Sequence, residues 1–418
     1  MTLSDPQHVV ILGAGHAGGA AAATLRQLGH GGAITLIGEE TTPPYQRPPL
    51  SKTYLKGEID LERLLLKPTS FYSSRHIELK LGTAATGIDC AERQVRLADG
   101  TLLDYDRLII ATGATPRRLT VPGADLDGVQ VLRTLADGEA LKPRFRPDAR
   151  LVVIGAGYIG LEASAVARQM GLQVSIMEAA PRVLARVAGE PLSTLYTQEH
   201  RAQGVRIHLD AQVVRLHGEA GRVTGVELAG GEIVAADIVL VGIGVTPNSQ
   251  LAETAGIQCN NGILVDEDAR TSDPAVFAIG DCSLRPLAQY ARKGRLESVH
   301  NALEQARLAA SAILGRPRPP LELPWFWSDQ YALKLQTAGL LEGHDKCVLR
   351  GDPASRNFAC YYLRNGQLLA VDAVNSPADF IFGRKIAGRG LSPDIDVLGA
   401  ATTDLRQLAE QLLEASQA

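Results

Sequence analysis

The chain has 418 residues, enough for about three domains of ordinary size. Its 42 Lys and Arg stand against 46 Asp and Glu, and this net charge of −4 argues against a protein that grips nucleic acid through phosphate contacts. No apolar run reaches the length of a membrane span, and the N-terminus shows no signal-peptide pattern. We therefore expect an intracellular protein that neither inserts into a membrane nor binds nucleic acid. Its five scattered cysteines form no CxxC or CxxxxC pair, which is typical of reduced thiols in a cytosol.

The first predicted unit is a strand, a glycine-rich turn, a helix and a second strand. The apolar run at residues 8–12 ends in the sequence GAGHAG, an Ala-rich helical stretch comes next, and the strand at 33–37 leads to Glu39. In a GxGxxG turn the first glycine allows a tight bend, the second lets backbone approach a pyrophosphate, and the third lets helix pack on strand. The pattern predicts a dinucleotide site with Gly13, Gly15 and Gly18 at the phosphates and Glu39 at a ribose.

The same plan recurs later in the chain. A strand at 151–154 precedes the sequence GAGYIG at 155–160, and a helix and a strand then lead to Glu178. This second copy predicts another dinucleotide site, whose turn comprises Gly155, Gly157, Tyr158, Ile159 and Gly160.

Each of these units is closed by an apolar strand that breaks at glycine. One strand ends at Thr112-Gly113 and the other at Gly244, and a Pro-rich stretch at 316–320 precedes a segment with both tryptophans. The fold class that we predict is α/β, with two Rossmann-like dinucleotide-binding domains and a C-terminal α+β domain. The predicted segments are 1–115 (first dinucleotide domain), 116–244 (second), 245–322 (return to the first) and 323–418 (C-terminal domain).

A further glycine–acid motif lies at residues 271–281, where the strand at 276–279 leads to Asp281. Open α/β sheets bind ligands at the carboxyl ends of their strands, so Asp281 is a candidate ligand-binding residue. Asp is also a preferred N-cap, and a helix start is the alternative at this point.

Together, two GxGxxG units, an ATG between them and TxxxxVFAxGD after them resemble the pyridine-nucleotide-dependent flavoprotein reductases of the glutathione-reductase fold. The resemblance implies that the first unit binds FAD, that the second binds NADH, and that Asp281 bonds the ribitol chain of FAD. The disulfide-reducing members carry a CxxxxC pair on the helix after the first unit. This chain has YQRPPLSK there, so no dithiol can store two electrons and the electrons must leave the flavin directly.

The run RPPLSK at 47–52, the run ESV at 297–299 and the run WFWSDQ at 325–330 are similar to the NADH-dependent ferredoxin reductases of the putidaredoxin reductase type. These flavoproteins serve bacterial cytochromes P450 and ring-hydroxylating dioxygenases. By resemblance, the FAD contacts are Ala17, Glu39, Lys52, Ala85, Arg133, Asp281 and Val299. Glu162 would lie beside the flavin near Lys52, and this pair is our catalytic prediction because a nearby cation favours reduced, anionic flavin. The alternative is a surface lysine and an unrelated helix-face glutamate.

The predicted coenzyme is NADH, because Glu178 can accept from a ribose 2′-hydroxyl and would repel a 2′-phosphate. The alternative is some tolerance of NADPH, because Arg182 and Arg186 lie close in sequence and carry the charge that a 2′-phosphate needs. Tyr158 is either a cover over the flavin face, as in the family, or a packed core residue.

The partner prediction rests on charge. Residues 284–318 hold seven Lys and Arg against two Glu, which would steer an acidic partner. A second basic run contains Arg384, Lys385 and Arg389. The resemblance implies an acidic two-iron, two-sulfur ferredoxin with Arg307 and Trp327 at the contact; a solvated helix face is the alternative.

The sequence therefore predicts a cytoplasmic bacterial ferredoxin–NAD⁺ reductase with FAD and NADH as cofactors and no metal site. Rubredoxin reductase and monodehydroascorbate reductase remain alternatives within the same fold. A redox-sensing interaction protein that resembles apoptosis-inducing factor is an alternative from another class.

Overall fold

The computed structural model describes residues 7–416. The strands, in chain order, are β1 (His8–Leu12), β2 (Ala33–Gly38), β3 (Ile77–Leu81), β4 (Ala85–Asp89), β5 (Gln94–Leu97), β6 (Leu102–Asp104), β7 (Arg107–Ile110), β8 (Ala114–Pro116), β9 (Val129–Gln130), β10 (Arg150–Ile154), β11 (Gln173–Met177), β12 (Arg206–His208), β13 (Val213–Glu219), β14 (Arg222–Leu228), β15 (Ile233–Ala235), β16 (Ile238–Val241), β17 (Val245–Pro247), β18 (Ile263–Leu264), β19 (Val276–Ala278), β20 (Ser283–Leu287), β21 (Arg292–Gly294), β22 (Trp325–Gln330), β23 (Leu333–Gly339), β24 (Lys346–Asp352), β25 (Asn357–Arg364) and β26 (Gln367–Val374). The α-helices are α1 (His16–Gln27), α2 (Leu61–Leu64), α3 (Thr69–Ser74), α4 (Leu135–Leu141), α5 (Tyr158–Gln169), α6 (Glu190–Ala202), α7 (Gln250–Thr254), α8 (Val299–Ile313), α9 (Pro377–Ala387), α10 (Ile395–Gly399) and α11 (Leu405–Ala415).

The chain forms two compact units. The first comprises the described residues up to Arg47 together with Asp60–Thr115 and Val245–Glu322. The second comprises Pro48–Ile59, Pro116–Gly244 and the described residues from Leu323 onward. The predicted division into four domain segments stays a prediction.

The first unit is built on a parallel sheet with the strand order β19-β7-β1-β2-β3. Its central strand β1 is apolar throughout its buried part because both faces of the sheet are covered. Val9 and Ile11 pack against helices α1 and α8, while Val10 and Leu12 pack against side chains from the β4–β6 sheet and α7. The carboxyl ends of β19, β7, β1 and β2 therefore lie side by side.

The second unit repeats this plan with the parallel order β12-β11-β10-β16-β9, and the antiparallel sheet β13-β14-β15 covers one face. It also contains a five-stranded antiparallel sheet, β22-β23-β26-β25-β24, on which α9, α10 and α11 pack. The predicted fold class is thus confirmed: two Rossmann-like sheets and a C-terminal α+β part. No helix within residues 7–416 is long and apolar enough to cross a membrane.

A glycine in α9 tests the packing of the C-terminal sheet. A Cβ on Gly383 would overlap the Val371 side chain on β26, so Gly383→Ala should lower the free energy of unfolding by about 1–3 kcal/mol. The matched control is Gly31→Ala, since within residues 7–416 no atom beyond Gly31 and its two chain neighbours lies within 4 Å of the Cβ position there. Thermal and urea unfolding of both variants would measure the difference. Equal stabilities would show that α9 does not pack closely on β26.

Candidate functional site

The first glycine turn is shaped by close approaches of backbone to backbone. Gly13 has a φ of +111°, and a Cβ there would overlap the carbonyl oxygen of Ala111 at the end of the neighbouring strand. A Cβ on Gly18 would overlap the carbonyl oxygen of Gly13, so helix and turn pack at minimal distance. Gly15 is the N-cap of α1, and apart from its chain neighbours and the helix backbone no atom of the described residues lies within 4 Å of its Cβ position. The turn therefore packs tightly against the neighbouring backbone at Gly13 and Gly18. At Gly15 it leaves space next to the first N–H groups of the helix, which have no partner within the helix.

The residues around this turn come from distant parts of the sequence. Asp281 lies in a single 3₁₀ turn, Gly280–Cys282, directly after β19, and a Cβ on Gly280 would lie 3.0 Å from the Cβ of Ala17. Burial and the charge of Arg47 lower the pKa of His16 to about 4, with Asp281 opposing the shift. His16 is therefore neutral at neutral pH. Because strand β20 comes directly after this turn and Ile279 holds the N-cap position of the turn, the alternative of Asp281 as a helix N-cap is wrong.

The other predicted residues of the first unit lie at strand ends, at a bend and at the start of a helix. Glu39 comes after the end of β2 and is exposed, and Val299 is the first residue of α8, behind the N-cap Ser298. The Thr112 hydroxyl donates to the Asn248 carbonyl at 2.7 Å, and the Asn248 amide donates to the Thr112 carbonyl at 2.9 Å, which fixes the Thr112-Gly113 bend. Ala85 begins β4 and packs against the core face formed by Val10 and Leu12.

The second glycine turn reproduces the geometry of the first. Gly155 has a φ of +101°, and a Cβ on it would overlap the carbonyl oxygen of Gly242. A Cβ on Gly160 would overlap the carbonyl oxygen of Gly155. At the N-cap Gly157, as at Gly15, no described residue beyond the chain neighbours and the helix backbone comes within 4 Å of the Cβ position. Gly244, with a φ of +103°, lies beyond β16 at the same edge of the sheet. The sequence repeat is therefore a structural repeat.

Glu178 is held in a fixed orientation at the end of β11. Its carboxylate accepts from the backbone N–H of Ala156 at 2.6 Å and of Ala180 at 2.8 Å. Arg182, by contrast, turns away: its guanidinium donates to the carbonyl oxygens of Ala188 and Ala185 and to the Ser193 hydroxyl. A carboxylate with a fixed orientation, that of Glu178, therefore lies at the end of β11. The Arg182 guanidinium is engaged in hydrogen bonds to other residues.

Lys52 and Glu162 form a buried ion pair in the second unit. The Lys52 Nζ lies 2.6 Å from Glu162 Oε2, and the exposed fractions of the two side chains are 17% and 3%. The alternative of a surface lysine and an unrelated helix-face glutamate is therefore wrong. Two hydroxyls complete the site: Ser51 donates to Oε2 at 2.6 Å and Ser328 donates to Oε1 at 2.7 Å. Sequence reasoning assigned no role to either serine.

Three more predicted residues lie in the second unit. The Tyr158 ring packs against Phe326 with centroids 4.6 Å apart, and burial raises its pKa well above the ordinary value. Ile159 is 44% exposed at the start of α5. The Arg133 backbone N–H donates to Asp137, the residue that closes the capping box of α4.

The predicted basic surface is weaker than its residue count implies. Arg285 is buried and pairs with Glu304, and Arg318 pairs with Glu267 and Asp268, acids that precede the basic run in sequence. Arg295 is 12% exposed and pairs with Glu297. Arg307 keeps an exposed fraction of 47%, with Glu322 at 3.4 Å. A sum of charges along the chain overlooks burial and the partners that the fold supplies.

Among residues 7–416, no group of three His, Cys, Asp or Glu side chains is placed to hold a metal ion. None of the five cysteines forms a disulfide. Cys282 is fully buried beside the Ile279 and Ile110 carbonyls, as expected for a small core residue.

Comparison with known proteins agrees with this geometry. Residues 7–306 match the pyridine nucleotide-disulphide oxidoreductase family, and residues 325–409 match the Reductase C-terminal family. The chain is 46% identical over 381 residues to the probable ferredoxin reductase CtmF of Castellaniella defragrans, a match that covers 91% of this chain and 93% of the relative. It is 41% identical over 406 residues to putidaredoxin reductase CamA of Pseudomonas putida, with 96% of each chain covered. The solved covalent putidaredoxin reductase–putidaredoxin complex contains a chain that superposes with a TM-score of 0.96 at 40% identity, covering 98% of this chain and 100% of that one.

Proposed function

This chain belongs to the pyridine nucleotide-disulphide oxidoreductase family, and from that premise we propose that it is a ferredoxin–NAD⁺ reductase. It takes electrons from NADH and passes them through FAD, one at a time, to a two-iron, two-sulfur ferredoxin that supplies a cytochrome P450 or a ring-hydroxylating oxygenase. The observation that carries the proposal is the pair of open glycine turns in a chain whose sequence has no CxxxxC pair. Such a chain can hold two dinucleotides but offers no dithiol to receive the electrons.

The residues of the first unit fit FAD. The open N-terminus of α1 at Gly15 suits a pyrophosphate, and His16, which is neutral at neutral pH, adds no charge to it. Glu39 at the end of β2 suits a ribose, and Asp281 beside Ala17 suits the ribitol hydroxyls. We assign Gly13, Gly18, Ala85, Thr112, Gly113 and Val299 of this unit to the same cofactor. The assignment of Arg133, which lies in the second unit, to FAD rests on the family resemblance alone. FAD, when bound, accepts two electrons as a hydride and releases them singly, so the protein needs no acid–base catalyst for that conversion.

The residues of the second turn fit NADH. Gly155, Gly157 and Gly160 leave the N-terminus of α5 open to a pyrophosphate, and Gly244 lies at the same edge. The Glu178 carboxylate, held by two backbone N–H groups, would accept a hydrogen bond from the adenosine ribose and would repel a 2′-phosphate. The three hydrogen bonds of Arg182 support this preference, because the guanidinium would have to break them to contact such a phosphate.

Lys52 and Glu162 are assigned to the redox centre. A lysine charge held at a fixed point favours electron transfer onto a neighbouring ring system, and the buried carboxylate fixes the lysine there. Because water is largely excluded from the pair, its effect on nearby charge is stronger than that of a surface pair.

The partner proposal is an acidic ferredoxin that contacts Arg307 and Trp327. The exposed fraction of Arg307 supports it, and so does the aromatic group around Trp327, whose ring lies 5.6 Å from that of Trp325. The Arg384 guanidinium lies 5.7 Å from the Trp325 ring and adds positive charge to this strand. We place the reaction in the bacterial cytoplasm, because cysteines that form no disulfide, such as the five of this chain, stay reduced there.

Stopped-flow absorbance tests the proposed function. The purified protein is mixed anaerobically with NADH, and then either with one of a panel of two-iron ferredoxins or with a rubredoxin, which is the competing acceptor. We expect rapid bleaching of the flavin and then rapid reduction of at least one ferredoxin. Bleaching without ferredoxin reduction would contradict the acceptor, and a protein that binds no flavin would contradict the whole assignment.

Coenzyme preference tests the role of Glu178. In Glu178→Gln the anion is lost, so the ratio of kcat/KM for NADPH to that for NADH should rise about tenfold. Glu190→Ala removes an exposed acid at the start of α6 and should leave the ratio unchanged. A wild-type enzyme that prefers NADPH would disprove the assignment.

Charge reversal tests the docking surface. Arg307→Glu should raise the KM for ferredoxin about tenfold at low salt and leave ferricyanide reduction by NADH intact, and the difference should shrink at high salt. Arg222→Glu makes the same charge change at a residue that is 81% exposed on β14, outside the basic run, and is the control. Equal loss of both activities in Arg307→Glu would remove Arg307 from the docking surface.

A further inference from the structure

A row of buried polar side chains leads away from Glu162 and takes no part in the proposed function. The Gln330 Nε2 lies 3.1 Å from the Ser328 Oγ, and the Gln330 Oε1 lies 2.8 Å from the His200 Nε2. The Tyr331 hydroxyl lies 3.3 Å from the His200 Nδ1. Ser328, Gln330 and His200 are all almost completely buried. We call Ser328, Gln330, His200 and Tyr331 the Glu162 chain.

The chemistry of the groups fixes the direction of each hydrogen bond. The only hydrogen of the Ser328 hydroxyl goes to Glu162 at 2.7 Å, so the Ser328 oxygen must accept, and only the NH₂ end of the Gln330 amide can donate to it. The carbonyl end of that amide then faces His200 and must accept, which puts the imidazole hydrogen on Nε2. The Nδ1 is left as an acceptor, and Tyr331 donates to it.

His200 is suited to this arrangement because it is neutral. Burial lowers its pKa, against the opposing effects of the Gln330 hydrogen bond and the Glu199 charge. Every donor in the Glu162 chain therefore points toward the carboxylate, and aligned hydrogen bonds of this kind strengthen one another. With Ser51 and Lys52 on the other oxygen, the carboxylate accepts three hydrogen bonds in a site that is 3% exposed.

Strand β22 supplies the link by simple alternation. Phe326, Ser328 and Gln330 lie on one face of the strand and meet Tyr158, Glu162 and His200 respectively. Trp325 and Trp327 alternate with them and lie on the opposite face. One strand of the C-terminal sheet thus contacts both the Lys52–Glu162 pair and the second glycine helix.

We infer that Ser328, Gln330 and His200 are positioning residues that orient Glu162 and share its negative charge, and so set how much of the Lys52 charge acts on the flavin. This inference rests on the proposed function for the assignment of Lys52 to the flavin. A buried carboxylate that loses one donor concentrates its charge on the remaining partners. Lys52 would then be more fully neutralised, and the flavin would accept electrons less readily.

The first test is Ser328→Ala in the FAD-loaded protein. We expect a more negative midpoint potential of the flavin and about tenfold slower flavin reduction at saturating NADH, with an unchanged Kd for NADH. Ser328→Thr keeps the hydroxyl and should restore both values. The control is Ser164→Ala. Ser164 lies on α5 and is as fully buried as Ser328, but its hydroxyl donates to the Gly160 carbonyl within its own helix. A wild-type potential and rate in Ser328→Ala would overturn the inference.

The second test measures the protonation state of His200 in the Glu162 chain and needs no enzymatic turnover. In the ¹⁵N-histidine spectrum of the holoprotein, assigned with His200→Asn, we expect a neutral His200 with its hydrogen on Nε2 at neutral pH. Gln330→Met removes the acceptor and should shift the His200 signals, whereas Ser164→Ala should not. A charged His200, or a hydrogen on Nδ1, would reverse the chain and overturn the inference.

The two tests also separate the inference from the proposed function. If NADH fails to reduce the wild-type flavin, the proposed function fails. The dye-equilibrated flavin potential and the histidine spectrum still decide whether Ser328 and Gln330 act on Glu162.

Discussion

Each dinucleotide-binding sheet depends on one constraint: a backbone carbonyl oxygen occupies the space that the Cβ of any residue other than glycine would need. At Gly13 the oxygen belongs to Ala111, and at Gly155 it belongs to Gly242. In both places a side chain would force apart two strands that must lie next to each other at their carboxyl ends. The open helix N-terminus behind each turn exists only because the chain can bend this sharply. Phosphate binding and sheet packing are therefore two results of one backbone geometry.

Glu162 imposes a second constraint of another kind. A carboxylate that is 3% exposed must be matched with donors, and its donors come from the Pro48–Ser51 turn region and from strand β22. Those segments lie far apart in sequence, yet each contributes a hydroxyl at hydrogen-bond distance. The ion pair with Lys52 is therefore a feature of the whole second unit, and a change in the C-terminal sheet can alter it.

The sequence predicted the parts of the fold that depend on local pattern. Apolar runs that end in glycine identified β1, β7, β10 and β16, and the 142-residue offset between Gly13 and Gly155 indicated the repeat. The pairing of Lys52 with Glu162 came from resemblance, and neither residue has a neighbour in sequence that would reveal it. His200 carried no signal, since a lone histidine on an amphipathic helix is typical of a packed core. The two serines lay within the runs RPPLSK and WFWSDQ, but an isolated serine does not reveal which acid it meets. The basic surface was overestimated for a similar reason, because Glu267 and Asp268 reach Arg318 only through the fold.

The occupied guanidinium of Arg182 limits how this scaffold could change its coenzyme. Its bonds to Ala185, Ala188 and Ser193 tie together the loop after β11 and the start of α6. Recruiting Arg182 for a phosphorylated ribose would release that loop. A lineage or an engineer seeking the switch has to leave Arg182 in place and use another cation, such as the exposed Arg186, whose guanidinium lies 3.7 Å from the Cβ position of Gly244.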